Sequence, residues 1–130
     1  AMEDALKDDR DTFFDSFTQD FFTANEELKV TESDRQKAIE LAHQSSQVAA
    51  LGCMKAFGTT DFRDDLRQIQ VPVLVLHGDA DGIVPLEGSG QRTHEAIPGS
   101  ELVVIEDAPH GLNVSHPDEF NAALLAFLRR

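Results

Sequence analysis

Two aspartates and a histidine stand out for their chemistry and spacing: Asp79 and Asp81, separated by one alanine, and His110 in Ala108-Pro109-His110-Gly111. A carboxylate that accepts from one imidazole nitrogen fixes the ring tautomer and stabilises the imidazolium, so the other nitrogen can take a proton from a nucleophile. That is the acid-to-base half of a hydrolytic triad. Spacing alone leaves rival roles open. Asp79 equally suits a turn in which its carboxylate accepts from nearby backbone N–H groups. His77, His94, His110 and His116, with Asp79 and Asp81, are also metal-ligand types, but their separations match no usual ligand pattern and no metal site is expected. His94 and His116 are expected to face solvent. Cys53 lies in an apolar helical stretch with no neighbouring base, which disfavours it as a nucleophile.

Both acidic and imidazole candidates follow apolar runs that read as strands. Val71-Pro72-Val73-Leu74-Val75-Leu76 is β-branched and apolar, bounded by Gly78, and predicts a core strand buried on both faces, as in parallel sheets. Glu101 to Ile105 predicts a second strand. Between them, residues 87–97 predict a helix ended by Pro98-Gly99. Strand, helix and strand make a crossover unit of neighbouring parallel strands, and ligands and catalytic groups gather beyond the carboxyl ends of such strands. Asp81 and His110 are therefore expected side by side. A last helix begins at Pro117 and carries Phe120, Ala123, Leu124, Phe127 and Leu128 at helical spacing, which predicts cover for one sheet face.

The N-terminal part reads as helical. Leu6, Phe13, Phe14, Phe17, Phe21 and Phe22 share one side of a helix predicted over residues 4–22, while Asp11, Asp15 and Asp20 mostly occupy the other. Core packing is the favoured role of this phenylalanine stripe, with the wall of an apolar pocket as the rival. Ser33-Asp34-Arg35-Gln36 has capping-box form and predicts a helix from there to about Met54, stopped by Gly58. Thr60 to Leu66 predicts a capped helical turn leading into the first strand.

Bulk properties narrow the class further. A chain of 130 residues with 41% hydrophobic side chains suits one ordinary domain. The net charge of −13, from 24 acidic residues against 11 Lys plus Arg, opposes phosphate backbones and anionic membranes, so neither nucleic acid nor membrane is an expected partner. Cys53, the one cysteine, forms no internal disulfide. No apolar run reaches the roughly 20 residues that span a bilayer, the N-terminal residues lack signal-peptide character, and a cytoplasmic location is expected.

The motif His77-Gly78-x-x-Asp81-x-x-Val84-Pro85, within Val71–Pro85, and Ala108-Pro109-His110-Gly111 resemble the C-terminal portion of the α/β-hydrolase fold. The closest resemblance is to the esterase/perhydrolase group, also called cofactor-free haloperoxidases. Cys53-x-x-Ala56-Phe57-x-x-Thr60-Asp61-Phe62-Arg63-x-Asp65-Leu66 is similar to the segment joining cap to penultimate strand in that group. The resemblance implies an α/β class with a partial α/β-hydrolase fold. Residues 1–60 would form a helical cap segment and residues 61–130 a two-stranded parallel β-α-β-α unit. It assigns Asp81 as triad acid and His110 as triad base, leaves Asp79 at a variable position, recasts the phenylalanine stripe as an acyl-pocket wall, and implies no cofactor.

Such enzymes carry their serine in a Gly-x-Ser-x-Gly elbow ahead of the Asp and His, and this sequence contains none. Gly88-Ser89-Gly90 has the wrong spacing and follows the acid. The expectation is a C-terminal fragment of a serine ester hydrolase, supplying acid and base but no nucleophile and inactive alone. The alternative is a non-catalytic structural or self-assembling module of the same fold. Two parallel strands leave an edge open, so a nucleophile-bearing N-terminal half or a second copy, as a homo-oligomer, is the expected partner. A small ester would bind only once that assembly forms.

Overall fold

The phenylalanine-rich N-terminal stretch folds as two helices rather than one. In the computed structural model, which describes residues 2–130, α1 (Met2–Asp8) and α2 (Arg10–Phe21) meet at Asp9. Asp9 is extended, and its carboxylate accepts from the Thr12 N–H (3.0 Å), which starts a new helix. The apolar period runs across the break because both helices feed one core: Leu6, Phe13 and Phe14 are buried, with Phe17, Ile39, Ala42, Ala50, Leu51 and Met54 packed around them. Packing is thus the role of the first half of the stripe.

A two-strand hairpin follows that the sequence reading did not anticipate. β1 (Thr23–Ala24) pairs antiparallel with β2 (Glu27–Leu28), and the two turn residues Asn25 (φ 49°) and Glu26 (φ 66°) are both left-handed. That is the backbone of a two-residue hairpin turn whose twist matches its strands.

The expected helix from Ser33 to Met54 is also two helices. α3 (Glu32–His43) is capped by Thr31, two residues before the predicted Ser33; its hydroxyl accepts from the Asp34 N–H (3.1 Å) and donates to the Asp34 carboxylate (2.7 Å). Thr31 is therefore the cap in use, and Gln36 instead donates to Glu32 (2.7 Å). α4 (Gln47–Thr59) starts at its own cap, Ser46, and runs past Gly58. Arg35, 8% exposed, ties α3 to α2: it donates to the Asp15 carbonyl (2.9 Å) and the Thr18 hydroxyl (3.2 Å) and forks onto Glu32. That guanidinium, with Gln36, holds the Glu32 carboxyl down to about 2.

The rest is the crossover unit. α5 (Arg63–Leu66), with the Asp61 carboxylate accepting from the Arg63 N–H, leads to β3 (Leu74–Gly78). A 3-10 turn (Leu86–Gly88) and α6 (Gly90–Ala96) replace the single helix expected over 87–97. β4 (Glu101–Ile105) then pairs parallel with β3, in register from Leu74–Glu101 to Gly78–Ile105. α7 (Leu112–Ser115) precedes α8 (Pro117–Leu128), which starts on Pro117 as predicted and packs on both strands.

The predicted strand differs in position and burial. Its ladder begins where the Glu101 N–H reaches the Val73 carbonyl (2.9 Å), so Val71 lies outside it and is 69% exposed. Only Gly78 of β3 is buried; Leu74 to His77 are half-buried, because the second edge of β3 has no strand beside it among the described residues. His94 and His116, expected at the surface, are half-buried, their Nδ1 atoms 2.8 Å from the hydroxyls of Ser100 and Ser115. Among the described residues no helix is long and apolar enough to cross a membrane.

Candidate active site

β3 and β4 end at the same sheet edge, and the loops beyond them are stitched together by backbone bonds. The Asp79 N–H donates to the Ile105 carbonyl (3.1 Å) and the Ala80 N–H to the Ala108 carbonyl (3.2 Å). Gly78 permits this approach: a Cβ there would stand 2.1 Å from the Ala108 carbonyl oxygen and 2.9 Å from that of Pro109, both immovable backbone.

Asp81, its side chain only 2% exposed, uses both oxygens fully. Oδ1 accepts from the N–H groups of Ile83 (2.9 Å) and Val84 (2.8 Å), which clamps the turn and aims Oδ2 across to the next loop. There the His110 Nδ1–H donates to Oδ2 at 2.7 Å. A carboxylate can only accept, so Nδ1 carries the proton in this bond, and in the neutral ring the lone pair is then on Nε2. The ring is 32% exposed. The two residues singled out in the sequence are thus in contact, 29 positions apart.

Asp79 does something else. Its Oδ1 accepts from the Asp107 N–H (2.7 Å), 28 positions away, so it braces the His110 loop from the strand side rather than closing a turn on neighbouring backbone N–H groups as the sequence suggested. His77 stands behind the pair, a placement that sequence reasoning missed by weighing it only as a ligand. Its Nε2–H donates to the Val84 carbonyl (2.8 Å) and lies 3.3 Å from Asp81 Oδ2. The signal available was its fixed position in His77-Gly78-x-x-Asp81-x-x-Val84-Pro85. Gly90 gives that ring its room, since a Cβ would sit 2.5 Å from His77 Nδ1.

The phenylalanine stripe reaches the site at its end. Phe21 presents its ring to His110 edge-on, centroids 4.8 Å apart at 76°, and its carbonyl accepts from the Gly111 N–H (2.9 Å). Phe22 is buried against Gly111, leaving no space for a Cβ. On the far side, Asp107 accepts from Lys29 Nζ (2.6 Å) and Asn25 Nδ2 (2.7 Å). These contacts, Lys29 first, hold the Asp107 carboxyl below the usual carboxylate range, and Asp107 in turn raises Lys29. Cys53 is exposed on α4, and among the described residues no three or more His, Cys, Asp or Glu gather to hold a metal ion.

Parallel strands whose carboxyl-end loops carry a buried aspartate and a histidine in contact define an α/β fold with an acid–imidazole pair at the sheet edge where such folds commonly bind ligands. The alpha/beta hydrolase fold family matches residues 5–117, and the chain belongs to that family. It is similar to the crystal structure of bromoperoxidase from Bacillus anthracis, with 45% identity and a TM-score of 0.96 over 99% of this chain and 47% of that one. Non-heme chloroperoxidase CPO-A1 of Kitasatospora aureofaciens is 34% identical over 133 residues, covering 100% of this chain and 48% of the relative. The bifunctional esterase/perhydrolase DCH of Acinetobacter calcoaceticus is 42% identical over 74 residues, 57% of this chain and 27% of the relative. The chain spans about half the length of the first two.

Proposed function

We propose that this chain supplies the acid and base of a serine ester hydrolase, and that the serine is brought by polypeptide outside it. The observation that carries the reading is the 2.7 Å bond from His110 Nδ1–H to a buried, fully engaged Asp81. In the assembled site the serine Oγ attacks the ester carbonyl while His110 Nε2 takes its proton; Asp81 stabilises the imidazolium, which then protonates the departing alkoxide. Water, deprotonated by the same nitrogen, releases the acid. Hydrogen peroxide in place of water gives a peracid, in keeping with the perhydrolase name of one relative. No cofactor takes part. Residues 1–60 act as the cap and residues 61–130 as part of the core, with Phe21 beside His110 at the acyl side of the site, which suits small or medium acyl esters.

The open edge of β3 is where the partner joins, either the serine-bearing half of the fold or, less completely, a second copy of this chain. Alone the chain is expected to be inactive, because its sequence contains no Gly-x-Ser-x-Gly elbow to supply the attacking serine. A cytoplasmic setting fits this role. The test is labelling by a fluorophosphonate, which marks only an activated serine. An N-terminal half of the fold that bears a Gly-x-Ser-x-Gly elbow should label slowly by itself and rapidly once this chain is added. Equal labelling in both conditions would refute the proposal and favour a non-catalytic structural or self-assembling module.

A further inference from the structure

We propose that the β1–β2 hairpin is a latch that holds the His110 loop against Asp81, with Asn25 and Lys29 as positioning residues acting through Asp107. The inference rests on the reading of Asp81 and His110 as a proton relay and adds what keeps that relay assembled.

Asp107 is the pivot. It is a non-glycine residue in the left-handed region (φ 55°), a conformation that persists only where surrounding contacts hold it. Three bonds do so: its N–H to Asp79 Oδ1 (2.7 Å), its Oδ1 from Asn25 Nδ2 (2.7 Å) and its Oδ2 from Lys29 Nζ (2.6 Å). Only the first comes from the strand side. The other two arrive from the hairpin, 82 and 78 positions away in sequence. The left-handed turn at Asn25 presents its amide, and the Lys29 N–H closes the hairpin on the Phe22 carbonyl (2.9 Å). Lys29 is 13% exposed and also bridges Glu27 (2.7 Å), so its ammonium is held in place.

The other end of the loop is gripped by the same segment. Phe21 takes the Gly111 N–H on its carbonyl, and Phe22 packs against the Gly111 backbone. Residues 21–29 therefore hold both Asp107 and Gly111, and His110, between them, is steadied without touching Asn25 or Lys29. Titratable groups facing the pivot are Lys29 from the hairpin, Asp79 from the β3 loop and His116 before α8. Removing the hairpin contacts leaves a left-handed Asp107 with one bond, so the loop opens more often and the His110 Nδ1–H meets water.

The test is proton NMR of the full chain, following solvent exchange of the far-downfield His110 Nδ1–H resonance, assigned by its loss in His110→Gln. Asn25→Ala combined with Lys29→Met should speed that exchange about tenfold, the scale of losing charge-assisted bonds at a partly exposed site. Lys29→Arg should keep the wild-type rate, and Lys37→Met, which removes an exposed charge paired with Asp34, should not change it. Should the double variant not fold, Asp107→Asn, which tolerates the left-handed backbone but loses the ion pair, reads out the same change. Exchange within twofold of wild type in the double variant, or equal acceleration in Lys37→Met, overturns the latch while leaving the relay standing. Absence of the resonance in the wild-type chain removes the relay, and the latch with it.

Discussion

Asp81 is the residue whose replacement discriminates best, because its two oxygens do different work. In Asp81→Asn the remaining oxygen still accepts from the Ile83 and Val84 N–H groups, so the turn keeps its clamp. The new amide group faces His110 Nδ1, and two donors cannot meet there. His110 resolves the conflict by moving its proton to Nε2 and accepting on Nδ1. A charge-assisted bond becomes a neutral one, and the amide also crowds the His77 Nε2–H 3.3 Å away, for a combined loss of about 1 to 2 kcal/mol. Asp81→Ala instead strands both backbone N–H groups and His110 in a buried place, costing about 3 to 5 kcal/mol. Urea denaturation measures the two losses, and nitrogen-15 NMR of the imidazole rings reads the tautomer. In the assembly proposed above the Nε2–H form would have no lone pair for the serine proton, so turnover of the Asn variant should fall by about three to four orders of magnitude. Retention of the Nδ1–H form in Asp81→Asn, or equal destabilisation by Asn and Ala, would refute this reasoning.

Three further outcomes are expected. Gly78→Ala should cost about 3 kcal/mol or more, since its Cβ would meet the Ala108 carbonyl oxygen at 2.1 Å, and thermal melting should show it together with loss of the His110 downfield signal. Arg35→Ala should cost about 2 kcal/mol by removing its bonds to Asp15 and Thr18 and its cover of the helix pair, whereas Lys37→Ala, at an exposed ion pair, should leave the urea midpoint unchanged. The Asp107 carboxyl lies below its ordinary 3.8 in the folded chain, so its contribution is fully present above that value and is lost as pH falls through the lower folded value. Exchange of the His110 Nδ1–H measured between pH 7 and 4.5 should therefore show no onset of latch opening, and an opening transition centred above 3.8 would contradict the Lys29 pairing.

What was legible in the sequence was local or periodic. β4, the start of α8 at Pro117, and the contact of Asp81 with His110 follow from an apolar run, a cap and two loops at one sheet edge. Helix breaks at Asp9 and at Ser46 were not, although both cap residues were in view, because apolar positions on either side of each break serve one core and so keep a common period. The hairpin escaped for a different reason: its strands are two residues each, too short to alternate, and Asn25-Glu26 lacks the glycine that usually marks such a turn. The composition of Val71–Leu76 reports a strand suited to burial, whereas the burial achieved depends on neighbours that a two-stranded sheet does not supply. His77 shows the same division, since its place in a motif was visible but the carbonyl of Val84 behind it was not.

The proposal that this chain contributes the proton relay and that the attacking hydroxyl lies outside residues 1–130 is tested most directly by p-nitrophenyl acetate hydrolysis. The purified chain, a serine-bearing N-terminal half of the fold, and their equimolar mixture are compared, with this chain used both as wild type and as His110→Ala. Turnover is expected in the mixture alone, and its loss in the His110 variant. Hydrolysis by the purified chain that depends on His110, or a mixture no faster than its parts, would contradict it.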